Sequence, residues 1–278
     1  MRSAVIDCDI HHFAGAEAYN PYLPKPYQEL TASYGRALPN GAPNGLASAG
    51  FGSLAELQER HLDPNGIRFG ILTGDSYGMQ GIGNYEYAAA ICSAVNNYTC
   101  DHWLSGDKRL RGSILVAKQA PDLAAKEIGR LAPSGAWAQV IVSNGAHMPY
   151  GNRFYDPIYE ACVRHGLPLM IHAGMEGAGI HSPTTGAGFV THLAEWRAAR
   201  IPAMMAHIAS LIFDGTFEKY PDLRIVLNEV GGFWIAPYLW RLDVEWRSLR
   251  VQTPWVKKQP SDYFRKHFRV TTASLEPA

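Results

Sequence analysis

The sequence predicts an α/β protein of the (β/α)8 TIM-barrel type, and three observations carry that expectation. Short apolar runs alternate with helical stretches along most of the chain. The segments between runs are long enough for the crossovers that parallel strands require. Polar, chemistry-bearing residues gather at the C-terminal ends of the runs, where barrel chemistry resides.

The first strand is Val5–His11, and a Pro/Gly/Asn-rich excursion over the barrel mouth follows from about 14 to 52. Six further strands are expected at Ile67–Thr73, Ser113–Ala117, Ala138–Val142, Pro168–His172, Arg224–Asn228 and Phe268–Thr271. Helical patterns fall between them at Leu54–His61, Tyr85–Leu104, Asp122–Leu131, Asp156–His165, Val190–Tyr220 and Ile235–Leu249. Asp122 after Pro121 marks a helix start, and His165-Gly166 supplies a cationic last turn and a C-cap. The 190–220 pattern is expected to break at Ile201-Pro202, and Pro221-Asp222 ends it. A single barrel domain over 1–278 accounts for the whole chain.

Composition excludes several classes of function. The apolar fraction is 47% and the charged fraction 18%, ordinary for a globular protein with a large core. Lys+Arg and Asp+Glu are equal at 25 each, so no field recruits nucleic acid or an anionic membrane. No apolar stretch reaches membrane-spanning length, and the N-terminus runs straight into a strand without a signal-peptide core. The four cysteines (Cys8, Cys92, Cys100, Cys162) are scattered without a C-x-x-C pair, which points to reduced thiols and a cytoplasmic protein.

The strand ends carry Asp9 and His11, Asp75, Lys118 and Gln119, Asn144 and His147, His172, Glu229, and Thr271 and Thr272. Side chains alternate along a strand, so Asp9 and His11 share one face, with His12 on the other. His172 ends an apolar strand and precedes the small residues Ala173-Gly174, which leave room above the ring. Two imidazoles and a carboxylate suit one divalent ion, zinc or manganese, with an open coordination position. Asn144 and His147 stand where substrate contacts are expected at the end of strand four. Gly78–Gly83 is glycine-rich but lacks the strand-to-helix pattern and the Lys-Ser/Thr of a phosphate loop. His207, in a helical stretch, reads as a packing histidine. Trp234, Trp240 and Trp246 recur with Leu239, Leu242 and Leu249 in a helical pattern, a packing face that could also serve a homo-oligomer interface.

Four stretches, in order, carry a resemblance: Asp7-Cys8-Asp9-Ile10-His11, Pro168–His172, Gly215–Leu227 and Glu229-Val230-Gly231-Gly232, with Asp156–Cys162 similar too. Together they resemble the amidohydrolase-related (amidohydrolase 2) family of the amidohydrolase superfamily, the branch that includes aminocarboxymuconate-semialdehyde and resorcylate decarboxylases. The resemblance implies metal-dependent carbon–carbon cleavage, typically non-oxidative decarboxylation of a small aromatic or unsaturated carboxylate. Hydrolysis of a lactone, amide or C–C bond in the same site, and a non-catalytic barrel with a degenerate metal site, are the alternatives. Where the family's decarboxylases place a His before Gly-Gly, this chain has Glu229, expected as general acid/base or further ligand, or as a carboxylate neutralising Arg241 or another cation at the strand end. The family also carries a metal-binding aspartate on an eighth strand. The sequence ends at Thr272–Ala278, before that strand, so the barrel is expected to be C-terminally incomplete and its metal site to lack that ligand.

Overall fold

A computed structural model describes residues 5–36, 38–43, 50–74 and 77–271. Asp75 and Thr272, two of the strand-end candidates, lie outside the described residues, as do 273–278. Seven parallel strands form one sheet in sequential order: β1 Val5–Ile10, β2 Ile67–Leu72, β3 Leu110–Leu115, β4 Trp137–Ser143, β5 Leu169–His172, β6 Ile225–Asn228 and β7 Phe268–Val270. Nine α-helices accompany them among the described residues. They are α1 Lys25–Tyr34, α2 Leu54–Leu57, α3 Tyr85–Thr99, α4 Pro121–Leu131, α5 Asp156–His165, α6 Leu193–Phe213, α7 Thr216–Lys219, α8 Ile235–Leu249 and α9 Pro260–His267. Among the described residues the sheet curls in the manner of a TIM-type barrel, with β1 and β7 at its two edges.

Alternation along the strands sorts their side chains onto two faces. Ile114, Val140, Val142, Leu169, Ile171, Ile225 and Leu227 join the core shared with the outer helices, against Ile128, Ile158 and Leu211. Leu115, Ile141 and Met170 belong to a second cluster with Tyr77 and Met79. His172, two residues beyond Met170, therefore stands on the inner side at the C-terminal end of β5.

The helices obey local signals. Asn84 caps α3 by accepting the Tyr87 N–H, and α4 starts at Pro121 and buries Ala124, Ile128 and Leu131 on one face. Gly166, at φ +66°, closes α5 by donating to the Cys162 and Val163 carbonyls. The expected 54–61 and 85–104 helices end in π-helical turns, Gln58–Leu62 and Cys100–Leu104.

Three expectations need correction, and one helix falls where the sequence set no element. The strand expected at Ser113–Ala117 begins at Leu110, because Leu110, Arg111 and Gly112 pair with β2 despite their weak strand character. The excursion is not all loop: it holds α1 and a 3-10 segment, Ala16–Tyr22. The 250–267 stretch holds α9, started by Pro260 and tied down where Asp243 accepts the Ser261 N–H. Finally, α6 runs unbroken through Pro202. A proline inside a helix costs about 3 kcal/mol, but α6 buries Met204, Ile208, Leu211 and Ile212, each contributing about 1.5–3 kcal/mol. Burial outweighs the proline.

Candidate metal centre

In a flat sheet, five strand spacings of about 4.8 Å would hold β1 and β6 roughly 24 Å apart. Instead, donor atoms of Asp9, His11, His172 and Glu229 all lie within 4.8 Å of one another. Curling of the sheet builds the cluster from the ends of β1, β5 and β6.

The Asp9 carboxylate organises it. Its Oδ1 accepts the Thr73 hydroxyl at 2.8 Å and lies 3.3 Å from His172 Nε2 and 3.6 Å from His11 Nε2. The two imidazole rings meet edge to face at 5.2 Å. His172 Nδ1 donates to the Ala173 carbonyl at 2.8 Å, which leaves Nε2 facing the cluster. That Nε2 is buried and lacks a hydrogen-bond partner. Glu229 Oε1 is 3.9 Å from His11 Nε2.

The electrostatics fit a pair held together by opposite charge. Burial alone would push Asp9 up, yet His172, then His11 and Thr73, hold it below the usual carboxylate range. Burial alone would push His172 down, yet Asp9, then Glu229, raise it above the ordinary imidazole value.

Glu229 adopts φ +55°, a left-handed conformation uncommon outside glycine. Its cation is not Arg241, which pairs with Glu245 at 2.6 Å along α8. Arg200 takes that place from α6, with a guanidinium nitrogen 3.7 Å from Glu229 Oε2. The Arg200 guanidinium lies 4.5 Å over Trp196, and its Nε is buried without a partner. Sequence reasoning missed Arg200, since nothing in Arg197-Ala198-Ala199-Arg200 marks one arginine as facing inward.

Other strand-end residues go elsewhere. Asn144 is buried, and its Nδ2 donates to Glu176 Oε1 at 2.6 Å and to the Arg200 carbonyl at 2.9 Å. His147 packs edge-on against Phe154 at 5.1 Å and is outside the four-residue cluster. Lys118, fully buried, donates to the Ser143 hydroxyl at 2.6 Å and to the Ser143 and Gly145 carbonyls, and burial depresses its pKa. Gln119 donates to the Met79 and Ile82 carbonyls. Both residues brace loops. His12 lies across β1, hydrogen-bonded to the Thr99 hydroxyl at 3.0 Å, and Gly78–Gly81 forms a buried 3-10 turn. His207 is a packing histidine, bonded through both ring nitrogens.

Two imidazoles and two carboxylates, with one imidazole nitrogen buried and unpartnered, fit a borderline-to-hard divalent cation such as zinc or manganese. Fold and cluster thus define a barrel protein of the metal-dependent type. The chain belongs to the amidohydrolase family, whose family model matches residues 6–276. A gamma-resorcylate decarboxylase of Polaromonas sp. (strain JS666) is 25% identical over 237 residues, which cover 79% of this chain and 70% of that protein. Its counterpart in Rhodococcus jostii (strain RHA1) is 26% identical over 235 residues, covering 79% of this chain and 69% of that protein. Among solved structures, a 2,6-dihydroxybenzoate decarboxylase complexed with 2,6-dihydroxybenzoate superposes with TM-score 0.70 at 18% identity, over 98% of this chain and 81% of that one. A 5-carboxyvanillate decarboxylase from Novosphingobium aromaticivorans with bound manganese gives 0.72 at 22% identity, over 96% and 78%. These structural likenesses establish the fold.

Proposed function

We propose that this chain is a divalent-metal-dependent decarboxylase of a small aromatic carboxylate, with the ion held by Asp9, His11 and His172. The carrying observation is the convergence of donor atoms of Asp9, His11, His172 and Glu229 within 4.8 Å, with His172 Nε2 buried, making no hydrogen bond and 3.3 Å from Asp9 Oδ1. Relatives that decarboxylate resorcylates and carboxyvanillate, one with manganese bound, support the same reading.

The ion would supply positive charge to fix and polarise the substrate's carboxylate or neighbouring hydroxyl. Thr73 fixes Asp9, and the Ala173 carbonyl fixes the His172 ring. Glu229, having taken a proton from solvent, passes it to the ring carbon as the bond to the carboxylate breaks and carbon dioxide leaves, and is left as a carboxylate. Arg200 steadies the Glu229 carboxylate from α6. Asn144, through Glu176 and the Arg200 carbonyl, supports that wall of the site.

We further infer a reducing, cytoplasmic setting and association of like chains. All four cysteines are free, and among the described residues no helix is long and apolar enough to cross a membrane. On α8, Trp240 is 71% exposed, whereas Trp234 and Trp246 are buried.

The test is metal analysis after incubation with manganese, with hydroxybenzoate turnover followed by absorbance. Native protein is expected to retain about one ion per chain and the Asp9→Asn/His172→Ala double variant none. Removing outer-sphere partners already lowers metal affinity 10–100-fold, so loss of two direct ligands should exceed about 100-fold. Stoichiometric metal in the double variant would place the ligands elsewhere and overturn the reading.

A further inference from the structure

A cavity of about 730 Å³ is lined by Asn144 and Glu176 and by none of the four residues of the metal cluster. Its walls come from the β4–α5 loop, the β5–α6 loop and α6, and Met148, Pro149, Pro202, Ala203 and Ala206 make much of them apolar. The volume falls within the roughly 300–1,000 Å³ range of small-molecule sites.

Two lining residues leave hydrogen-bonding capacity unused. Asn144 is 1% exposed and Glu176 2%. The Asn144 amide nitrogen serves Glu176 Oε1 and the Arg200 carbonyl, and Glu176 Oε1 also accepts the Gly174 N–H at 3.1 Å. That leaves Asn144 Oδ1 and Glu176 Oε2, both buried and without a partner. Both are acceptors. The other polar ring at the wall, His207, has its two nitrogens engaged, Nε2 donating to the Asn144 carbonyl at 2.7 Å and Nδ1 accepting the Tyr150 N–H at 3.2 Å. Buried acceptors without partners are unfavourable until a donor reaches them. The fixed charge of Arg200 already acts on Glu176, so a neutral donor suits the site better than a second cation.

We propose that this cavity binds a neutral aromatic molecule bearing an O–H or N–H donor, the ring against the apolar wall and the donor on Glu176 Oε2. An anionic ring such as benzoate is disfavoured there, because its carboxylate oxygens would meet the two free acceptors, Asn144 Oδ1 and Glu176 Oε2, without satisfying either. None of the metal cluster's residues lines this site, and the proposal does not depend on the reaction proposed for them.

The probes are phenol, anisole and benzoate, titrated by calorimetry and ligand-observed NMR into the full chain after chelator treatment, which keeps the metal centre out of the readout. Phenol is expected to bind about tenfold more tightly than anisole, the worth of one hydrogen bond, and more tightly than benzoate. Ala203→Phe should fill the cavity and remove phenol binding. Glu176→Gln keeps one oxygen for Asn144 and Gly174 but turns the free acceptor into a donor, so the preference for phenol over anisole should shrink to within about twofold. If Ala203→Phe fails to fold by circular dichroism, Glu176→Gln decides alone. Equal binding of phenol and anisole by native protein, no binding of either at millimolar concentration, or an undiminished preference in Glu176→Gln would overturn the proposal.

Discussion

Replacing His207 with glutamine removes a titratable group from the middle of the fold while keeping a donor and an acceptor in its place. The ring sits on α6, buried, with Nε2 donating to the Asn144 carbonyl at 2.7 Å and Nδ1 accepting the Tyr150 N–H at 3.2 Å. An imidazolium would lose the second bond, since both its nitrogens carry protons. Burial, reinforced by the Lys118 charge, lowers the His207 pKa from 6.5 to about 4, against the smaller opposing pull of the Asn144 carbonyl. Above pH 6.5 the group is neutral in folded and unfolded chains alike. Between pH 6.5 and about 4 the unfolded chain takes up a proton that the folded chain refuses, so stability falls as pH falls. The full loss is about 3 kcal/mol, of which roughly 2 kcal/mol has gone by pH 5. His12 and His181, each held near 3 chiefly by burial, add to acid sensitivity but are common to native and variant proteins. Urea unfolding at several pH values from 5 to 8 reads the difference. The native protein should lose about 2 kcal/mol more than His207→Gln on going from pH 7.5 to 5. Parallel stability–pH curves would refute the reasoning, because they would mean that the ring titrates alike in both states.

Two further outcomes are expected. Glu229→Gly should be about 1 kcal/mol more stable than Glu229→Ala, since only glycine adopts φ +55° without strain, while both variants lose turnover; urea midpoints that put Ala level with Gly would remove the strain argument. Trp240→Glu should convert the associated form to monomer by light scattering with unchanged circular dichroism, and unchanged association would move the interface away from α8.

The parallel barrel was legible in the sequence because its strands are short apolar runs flanked on both sides by helices. β4, β5 and β6 follow their apolar runs closely. β3 was read late because Arg111 and Gly112 interrupt its apolar pattern, and only their pairing with β2 reveals them as strand. α1 was hidden among the prolines and polar residues of the excursion, with Thr31 its buried helical residue. Pro202 misled for the opposite reason: a strong local rule was overruled by the burial of α6. At the metal cluster, Asp9, His11 and His172 could be picked out because strand periodicity states which way each points. Arg200 could not, because its approach to Glu229 depends on how α6 lies over the barrel mouth. Glu176 was equally invisible, lying in a loop whose path follows from left-handed backbone at Gly174, Met175 and Gly177.

The distribution of strain bears on what the cluster is for. Among the described residues, Met175 and Glu229 are the non-glycine positions with positive φ, three residues beyond His172 and one beyond β6. Each such position costs roughly 1–2 kcal/mol, and the partly buried Asp9–His172 pair adds the desolvation of two charges. A sheet end shaped for stability alone would relax the backbone to glycine and replace the charged pair with apolar packing. A bound cation supplies the missing term: held by the folded chain and not by the unfolded one, it contributes about 2.7 kcal/mol at a hundredfold excess over its dissociation constant. That is of the same order as the roughly 2–4 kcal/mol of strain at Glu229 and Met175 together. The same ion would neutralise the carboxylates that burial penalises, so the most costly end of this barrel becomes stable in the state in which it would work.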